Sequence, residues 1–265
     1  MDKKRIIITG AASGIGRETA VLFAKNNWYV GLFDVNEAGL NHLASEIGSA
    51  DCFIQVMDVT DPDSVRQAIN AFVEQTGGKL DVLLNNAGIL TFGMFDQVSL
   101  TDHLRTVDVN FKGCLNCIYH SIPYLKKTPG SRIINMSSAS SIYGTPDLAV
   151  YSATKHALSA MTEALNIELE QSGIYVCDIR PPYVTTPLLD SPHEITSVKR
   201  MGANIGPETV AKAVWKAAHN KKLHWNISIT WAVNFFSHIM PFSVRFVTKL
   251  LTMPSPKKIM KGINQ

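Results

Sequence analysis

Seven short runs of apolar, largely β-branched or aromatic residues recur along the chain, separated by longer segments of helical period, and this alternation constrains the fold more than any other feature. The runs are RIIIT (5–9), YVGLFD (29–34), CFIQVMDV (52–59), DVLLN (81–85), RIINMS (132–137), YVCDIR (175–180) and WNISIT (225–230). Between them, apolar residues return at helical intervals near 14–27, 37–47, 62–76, 101–127, 150–172 and 207–220. The last of these opens on Pro207 with Glu208 in its first turn, both helix start signals. Strands of continuous apolar character are covered on both faces, so the pattern predicts an α/β fold with a doubly wound parallel sheet. Open sheets of this kind take their ligands at the carboxyl ends of the strands, where strand order reverses.

The 265 residues read as a single domain spanning 1–265, since no linker interrupts the alternation. The longest stretch without a pattern, 185–206, holds Pro187, Pro192, Gly202 and Gly206 and is expected to be a substrate loop. Cys52, Cys114, Cys117 and Cys177 are too few and too scattered for a disulfide framework, and no histidine cluster completes a zinc site around Cys114 and Cys117. They are expected to be reduced packing residues, with no metal and a cytoplasmic setting. The first apolar run is too short for a signal-peptide core. Residues 223–244 carry no formal charge but hold too many Asn, Ser and Thr for a membrane span. Charge is lopsided: Glu208 is the last acid and nine Lys or Arg follow it, against a net charge of only +3 for the whole chain. That basic end is either a solvated rim, the favoured reading, or a contact for an anionic partner.

The strand ends carry the chemistry. After the first run comes T-G-A-A-S-G-I-G, Thr9 to Gly16, leading into a helix. Glycines there let the backbone turn tightly and approach a pyrophosphate, with the helix N–H groups and positive dipole end beside it. The second run ends in Asp34, 24 residues beyond Gly10. A carboxylate there accepts both hydroxyls of an adenosine ribose and repels a 2′-phosphate, which favours NAD over NADP. Ser13 stands where a basic residue would help hold that phosphate. The competing reading of Asp34 is a cap on a turn with Asn36.

With these features in place, the chain resembles the short-chain dehydrogenase/reductase family from residue 5 to about 230. The resemblance rests on T-G-x-x-x-G-x-G (Thr9–Gly16), Asp34, the Asp58–Val59 pair, N-N-A-G (Asn85–Gly88), Asn110, Ser138 thirteen residues before Tyr151, Y-x-x-x-K (Tyr151, Lys155) and P-x-x-V-x-T (Pro181, Val184, Thr186), in that order. It implies a Rossmann-like fold, a catalytic set of Asn110, Ser138, Tyr151 and Lys155, and a homodimer or homotetramer using the helices near 101–127 and 150–172. For the cofactor it implies Gly10, Ser13, Gly14, Ile15 and Gly16 at the phosphates and Asp58 and Val59 at the adenine. Asn85, Ala87 and Gly88 would meet the adenosine side, and Pro181, Val184 and Thr186 the nicotinamide, with Tyr151 and Lys155 at its ribose. The family commonly has glycine where this chain has Pro182, so the loop over the nicotinamide is expected to follow a different path.

Tyr151 and Lys155 lie one helical turn apart and share a face. A lysine ammonium beside a phenol favours the phenolate, as does the nicotinamide cation when NAD⁺ is bound, while burial opposes both; with the two charges together Tyr151 is expected to act as general base on an alcohol. Ser138 would bind the substrate oxygen. The resemblance adds Lys155 on the nicotinamide ribose and Asn110 on a proton-relaying water. Ile89, Leu90, Phe92, Met94, Ile142, Tyr143, Tyr183, Leu188 and Leu189 flank the presumed reaction site, pointing to a lipophilic alcohol or ketone. A ketoacyl-thioester reductase and a catalytically silent NAD-sensing scaffold are the alternatives. No nucleic-acid partner is expected. The apolar, basic extension 233–265 either packs on the substrate mouth or another subunit, which is favoured, or makes peripheral contact with an anionic membrane.

Overall fold

The computed structural model describes residues 3–189, 205–228 and 230–239, with 246, 248 and 249 beyond them. The first half runs β1 (Arg5–Thr9), α1 (Gly14–Lys25), β2 (Tyr29–Asp34), α2 (Glu37–Ile47), β3 (Cys52–Val56), α3 (Pro62–Gln75) and β4 (Val82–Asn85). The second half runs α4 (Leu100–Val107), a π-helical turn (Asp108–Lys112), α5 (Gly113–Leu125), β5 (Arg132–Met136), α6 (Ala149–Glu168), β6 (Tyr175–Arg180), α7 (Pro207–His219), β7 (His224–Asn226) and α8 (Thr230–Ile239). Local chemistry sets the helix starts. Asn36 accepts from the Gly39 N–H, Asp61 from the Asp63 N–H and Ser99 from the Asp102 N–H, each satisfying an otherwise orphaned donor.

All seven strands are parallel, in the order β3-β2-β1-β4-β5-β6-β7. The order reverses between β1 and β4, and the crevice at their carboxyl ends is where such a sheet takes a ligand. Successive side chains of a strand face opposite ways. Ile6, Ile8, Leu32, Leu84 and Ile134 therefore pack with Phe23 of α1 and Val210 and Val214 of α7. Ile7, Phe33, Leu83 and Ile133 pack on the other face with Phe72 of α3, Ile118 of α5 and Leu158 of α6. Gly31 in β2 makes room for Phe72, whose ring would stand 2.9 Å from a Cβ at that position. Both faces are covered, as the unalternating strands predict. The sheet is Rossmann-like.

Three elements differ from the sequence reading. β3 stops at Val56 rather than Val59, because Asp58 turns its carboxylate onto Thr60 (2.8 Å to both the N–H and the hydroxyl) and Asp61–Pro62 starts a helix. The run 225–230 pairs only through Asn226, since β6 gives way at Pro181, which has no N–H to donate. Ser228 then takes φ +54° and α8 begins at Thr230. The single helix expected over 101–127 is interrupted by the π-helical turn. All four cysteines are unpaired and buried. Of the 185–206 loop, residues 190–204 lie outside the described residues, as does most of 233–265.

Candidate active site

The turn after β1 is shaped by close approach. Gly10 has φ +67°, and a Cβ there would lie 2.9 Å from the Ala87 Cα. A Cβ at Gly16 would lie 2.1 Å from the Gly10 carbonyl oxygen, so α1 can cross the end of β1 only with glycine at that position. The Thr9 hydroxyl accepts from the N–H groups of Asn86 and Ala87, both at 3.0 Å. Asn86 Nδ2 donates back to the Thr9 and Gly10 carbonyls at 3.0 and 3.1 Å. Thr9 and Asn86 thus tie together the two strands that flank the reversal, a role the sequence reading did not assign to them. Ser13 at the start of α1 is extended and makes no side-chain cap, and the first turn holds no acid. The free N–H groups and positive end of α1 open toward the crevice.

Asp34 combines both readings made of it. One carboxylate oxygen accepts from the Asn36 N–H and the other from the Ala12 N–H, both at 3.0 Å, so the group is fixed by the turn while lining the crevice. Arg17, in the first turn of α1, is paired with Glu18 and Glu46.

Ser138 follows β5, and its hydroxyl accepts from the Ser140 N–H at 3.1 Å. Tyr151 and Lys155 project from α6. The lysine Nζ donates to the Met136 carbonyl at 2.8 Å and stands 5.5 Å from the centre of the tyrosine ring. Burial pushes the Tyr151 phenol up to about 12, opposed by its hydrogen bond with Ser138 and reinforced by Tyr183. Burial brings the Lys155 ammonium down to about 8, opposed by Cys114. Near neutral pH the protein alone thus holds a phenol beside an ammonium, with desolvation the largest effect on each; the ionisation expected of Tyr151 is that of the NAD⁺-bound state, with a second cation in the cleft.

A cleft of about 1590 Å³ runs over these strand ends. Gly10, Ser13, Gly14, Ile15, Asp34, Asp58, Val59, Ala87, Gly88, Ser138, Tyr151, Lys155, Pro181, Val184 and Thr186 all line it. Gly16, Asn85 and Asn110 do not. Gly16 acts through the packing just described. Asn85, 5 % exposed, faces into the sheet and donates to Asn135 at 2.8 Å, which donates in turn to Thr162 at 2.9 Å. Asn110 sits in the π-helical turn with its amide clamped on Ile89, accepting from the N–H at 2.8 Å and donating to the carbonyl at 3.0 Å. It fixes the path of the chain leaving β4. Of the apolar residues named above, Ile89, Leu90, Tyr143, Tyr183 and Leu188 reach the cleft, whereas Phe92, Met94 and Ile142 do not. Leu104, Arg105 and Asp108 on the α4 side and Val233 and Ser237 of α8 also line it. Only their tertiary placement reveals them.

A family model described as short chain dehydrogenase matches residues 4–194. The 3-oxoacyl-[acyl-carrier-protein] reductase FabG of Thermotoga maritima is 33% identical over 223 residues, covering 81% of this chain and 89% of the relative. A cyclohexanol dehydrogenase of an Acinetobacter species is 29% identical, covering 80% and 86%. Among solved structures, a 3-ketoacyl-(acyl-carrier-protein) reductase from Brucella melitensis complexed with NADH is similar at a TM-score of 0.77 and 31% identity, covering 84% of this chain and 96% of that one. With its glycine turn, its strand-end aspartate and a serine, tyrosine and lysine meeting in one cleft, the chain belongs to the short-chain dehydrogenase family.

Proposed function

We propose that this chain is an NAD-dependent oxidoreductase interconverting a lipophilic secondary alcohol and its ketone, with one domain carrying both cofactor and substrate. The observation that carries the reading is the convergence of Ser138, Tyr151 and Lys155 in a cleft whose other end is the open N-terminus of α1 beside Asp34. That end fits a dinucleotide: Gly10, Ser13, Gly14 and Ile15 would hold the diphosphate against the helix N–H groups. Asp34 would accept the adenosine ribose hydroxyls, and with Arg17 already paired, a 2′-phosphate would meet the carboxylate without a counter-charge. Asp58 and Val59 would border the adenine, Ala87 and Gly88 the adenosine side, and Pro181, Val184 and Thr186 the nicotinamide. When bound, the nicotinamide supplies the hydride acceptor or donor and, in its oxidised form, a positive charge.

The residues then divide the proton work. Ser138 donates a hydrogen bond to the substrate oxygen and steadies the charge developing there. Tyr151, held as a phenol by burial, is set to give its proton to the carbonyl oxygen in the reductive direction. In oxidation it takes the hydroxyl proton, which requires added positive charge in the cleft to overcome the cost of burying a phenolate. Lys155 supplies part of that charge from one turn away. Asn110 keeps Ile89 and Gly88 in place beside Lys155 and is a positioning residue in this scheme.

A second reading, a ketoacyl-thioester reductase, is supported by the identity to the Thermotoga relative. Secondary alcohols such as cyclohexanol and acetoacetyl thioesters, assayed with NAD(H) and NADP(H) in parallel, separate the two. A strong NADP(H) preference would overturn the role given to Asp34, and turnover confined to thioesters would overturn the alcohol reading. The reading also carries a homodimer or homotetramer, supported by exposed Leu115, Tyr119 and Ile167 on α5 and α6.

A further inference from the structure

α8 has two unlike faces. At 100° per residue, Thr230, Val233 and Ser237 turn one way and Trp231, Phe235 and Ile239 the other. Thr230 is fully buried, and it lines the cleft together with Ser237 and with Val233, which is itself 42% exposed. The opposite stripe is large, apolar and solvent-facing: Trp231 is 64% exposed, Phe235 54% and Ile239 60%. Phe246, beyond the helix, is exposed as well. A helix that merely roofs a cleft in water would turn charged or amide side chains outward. A row of a tryptophan, a phenylalanine and an isoleucine at four-residue intervals is the pattern of a helix lying in an apolar boundary.

The charge of the sequence that follows α8 selects the occupant. The chain carries no acid after Glu208, while Arg245, Lys249, Lys257, Lys258 and Lys261 follow the helix in sequence, and Lys249 is exposed. Two copies paired through this end of the chain would bring its like charges together, whereas an anionic lipid surface supplies the opposite sign. Among the described residues no helix is long and apolar enough to cross a membrane. We propose that α8 docks the protein on the surface of an anionic lipid bilayer through Trp231, Phe235 and Ile239. The other face of α8 walls the cleft, so docking would set that wall of the cleft against the lipid. A substrate dissolved in the bilayer would pass beneath α8 without crossing bulk water; this last step alone rests on the lipophilic-substrate reading.

The test is flotation of the full chain with phosphatidylcholine vesicles, with and without phosphatidylglycerol. The expected result is roughly tenfold stronger association with the anionic vesicles, falling at high salt. It should be lost in a W231S/F235S/I239S variant that turns over cyclohexanol in vesicle-free buffer as the wild type does. If that variant does not fold, W231F serves instead: anionic vesicles should shift the wild-type tryptophan emission to the blue, and W231F should abolish the shift. Equal flotation of wild type and the triple variant, no preference for anionic vesicles, or an unchanged shift in W231F overturns the proposal. So does a wild-type dimer by light scattering that the triple variant converts to monomer, which would assign the stripe to a second copy. Flotation does not depend on turnover, so a failure of the oxidoreductase reading leaves it interpretable.

Discussion

Replacing Lys155 with methionine should make the protein's stability less dependent on pH. Lys155 is only 4% exposed, and burial lowers its ammonium from 10.5 to about 8. Below pH 8 both folded and unfolded chains hold the proton, and the folded chain bears the full cost of a buried ammonium. At 1.36 kcal/mol per unit, that cost is about 3 kcal/mol at pH 7. As pH rises through 8 the folded chain releases the proton while the unfolded chain keeps it, so the unfolded state binds more protons and stability rises. Between pH 7 and 9.5 the gain is about 2 kcal/mol. Methionine keeps the apolar stem and removes the titration. It also leaves the Met136 carbonyl without its donor, at about 1–3 kcal/mol, but that loss does not vary with pH. The decisive quantity is therefore the wild-type minus K155M difference across pH, measured by urea denaturation at fixed protein concentration. The unfolded-state ionisation of tyrosines begins near the top of this window and cancels between the two proteins. A difference that stays flat within about 0.5 kcal/mol from pH 7 to 9.5 would falsify the picture of a lysine held at the expense of the fold.

Three further outcomes are expected. Tyr151→Phe should cut turnover by about 10²–10⁴ while leaving the thermal midpoint nearly unchanged, and a folded variant with near-normal turnover removes Tyr151 from the proton transfer. Gly16→Ala should cost at least about 1–3 kcal/mol and abolish the thermal shift given by NAD⁺, because its methyl would meet the Gly10 carbonyl at 2.1 Å; a wild-type melting curve refutes the packing argument. Asp178 is fully buried and accepts from His224 at 2.9 Å, Ser159 at 2.6 Å and Arg180 at 3.2 Å. Asp178→Ala should therefore cost about 3–5 kcal/mol in urea titrations, against under about 1 kcal/mol for Glu163→Ala at the exposed end of the same cluster; similar losses at the two positions would contradict it.

Strand ends were legible in the sequence wherever a residue of special backbone demand stood next to them. β1 ends at Thr9, before Gly10, and β6 at Arg180, before Pro181, both at the predicted boundary. The apolar run continues past β3 through Met57 and Val59, both buried in the core: the Met57 N–H still reaches the Asp34 carbonyl at 3.0 Å, whereas Val59 already lies in the turn to α3. α8 escaped notice because ITWAVNFF suits either strand or helix, and the limit on strand pairing comes from Pro181, remote in sequence. At the site, the cleft-lining groups followed from their places at strand ends. Asn85 and Asn86 look equivalent in the sequence, yet the first turns into the sheet and the second out to the glycine turn. Spacing reveals the lysine beside the tyrosine, whereas the size of the desolvation that opposes ionisation belongs to the packed molecule.

The π-helical turn has a consequence for how this region tolerates change. Such a turn holds one residue more than the α-helix on either side of it. The buried residues run Thr106, Asn110, Gly113, Cys114, Cys117, Ile118, Ser121 and Leu125, so the turn carries one buried face across from α4 to α5. Deleting one residue from 108–112 would yield a more regular helix, locally no worse than the original. It would also turn everything on one side of the deletion by about 100°, taking either Asn110 from Ile89 or the α5 cysteines from the sheet. Most side chains along this stretch can be exchanged for others of similar bulk. What cannot be altered is its length, so an insertion or deletion here would be felt in the cleft before any single substitution on the outer face of the helix.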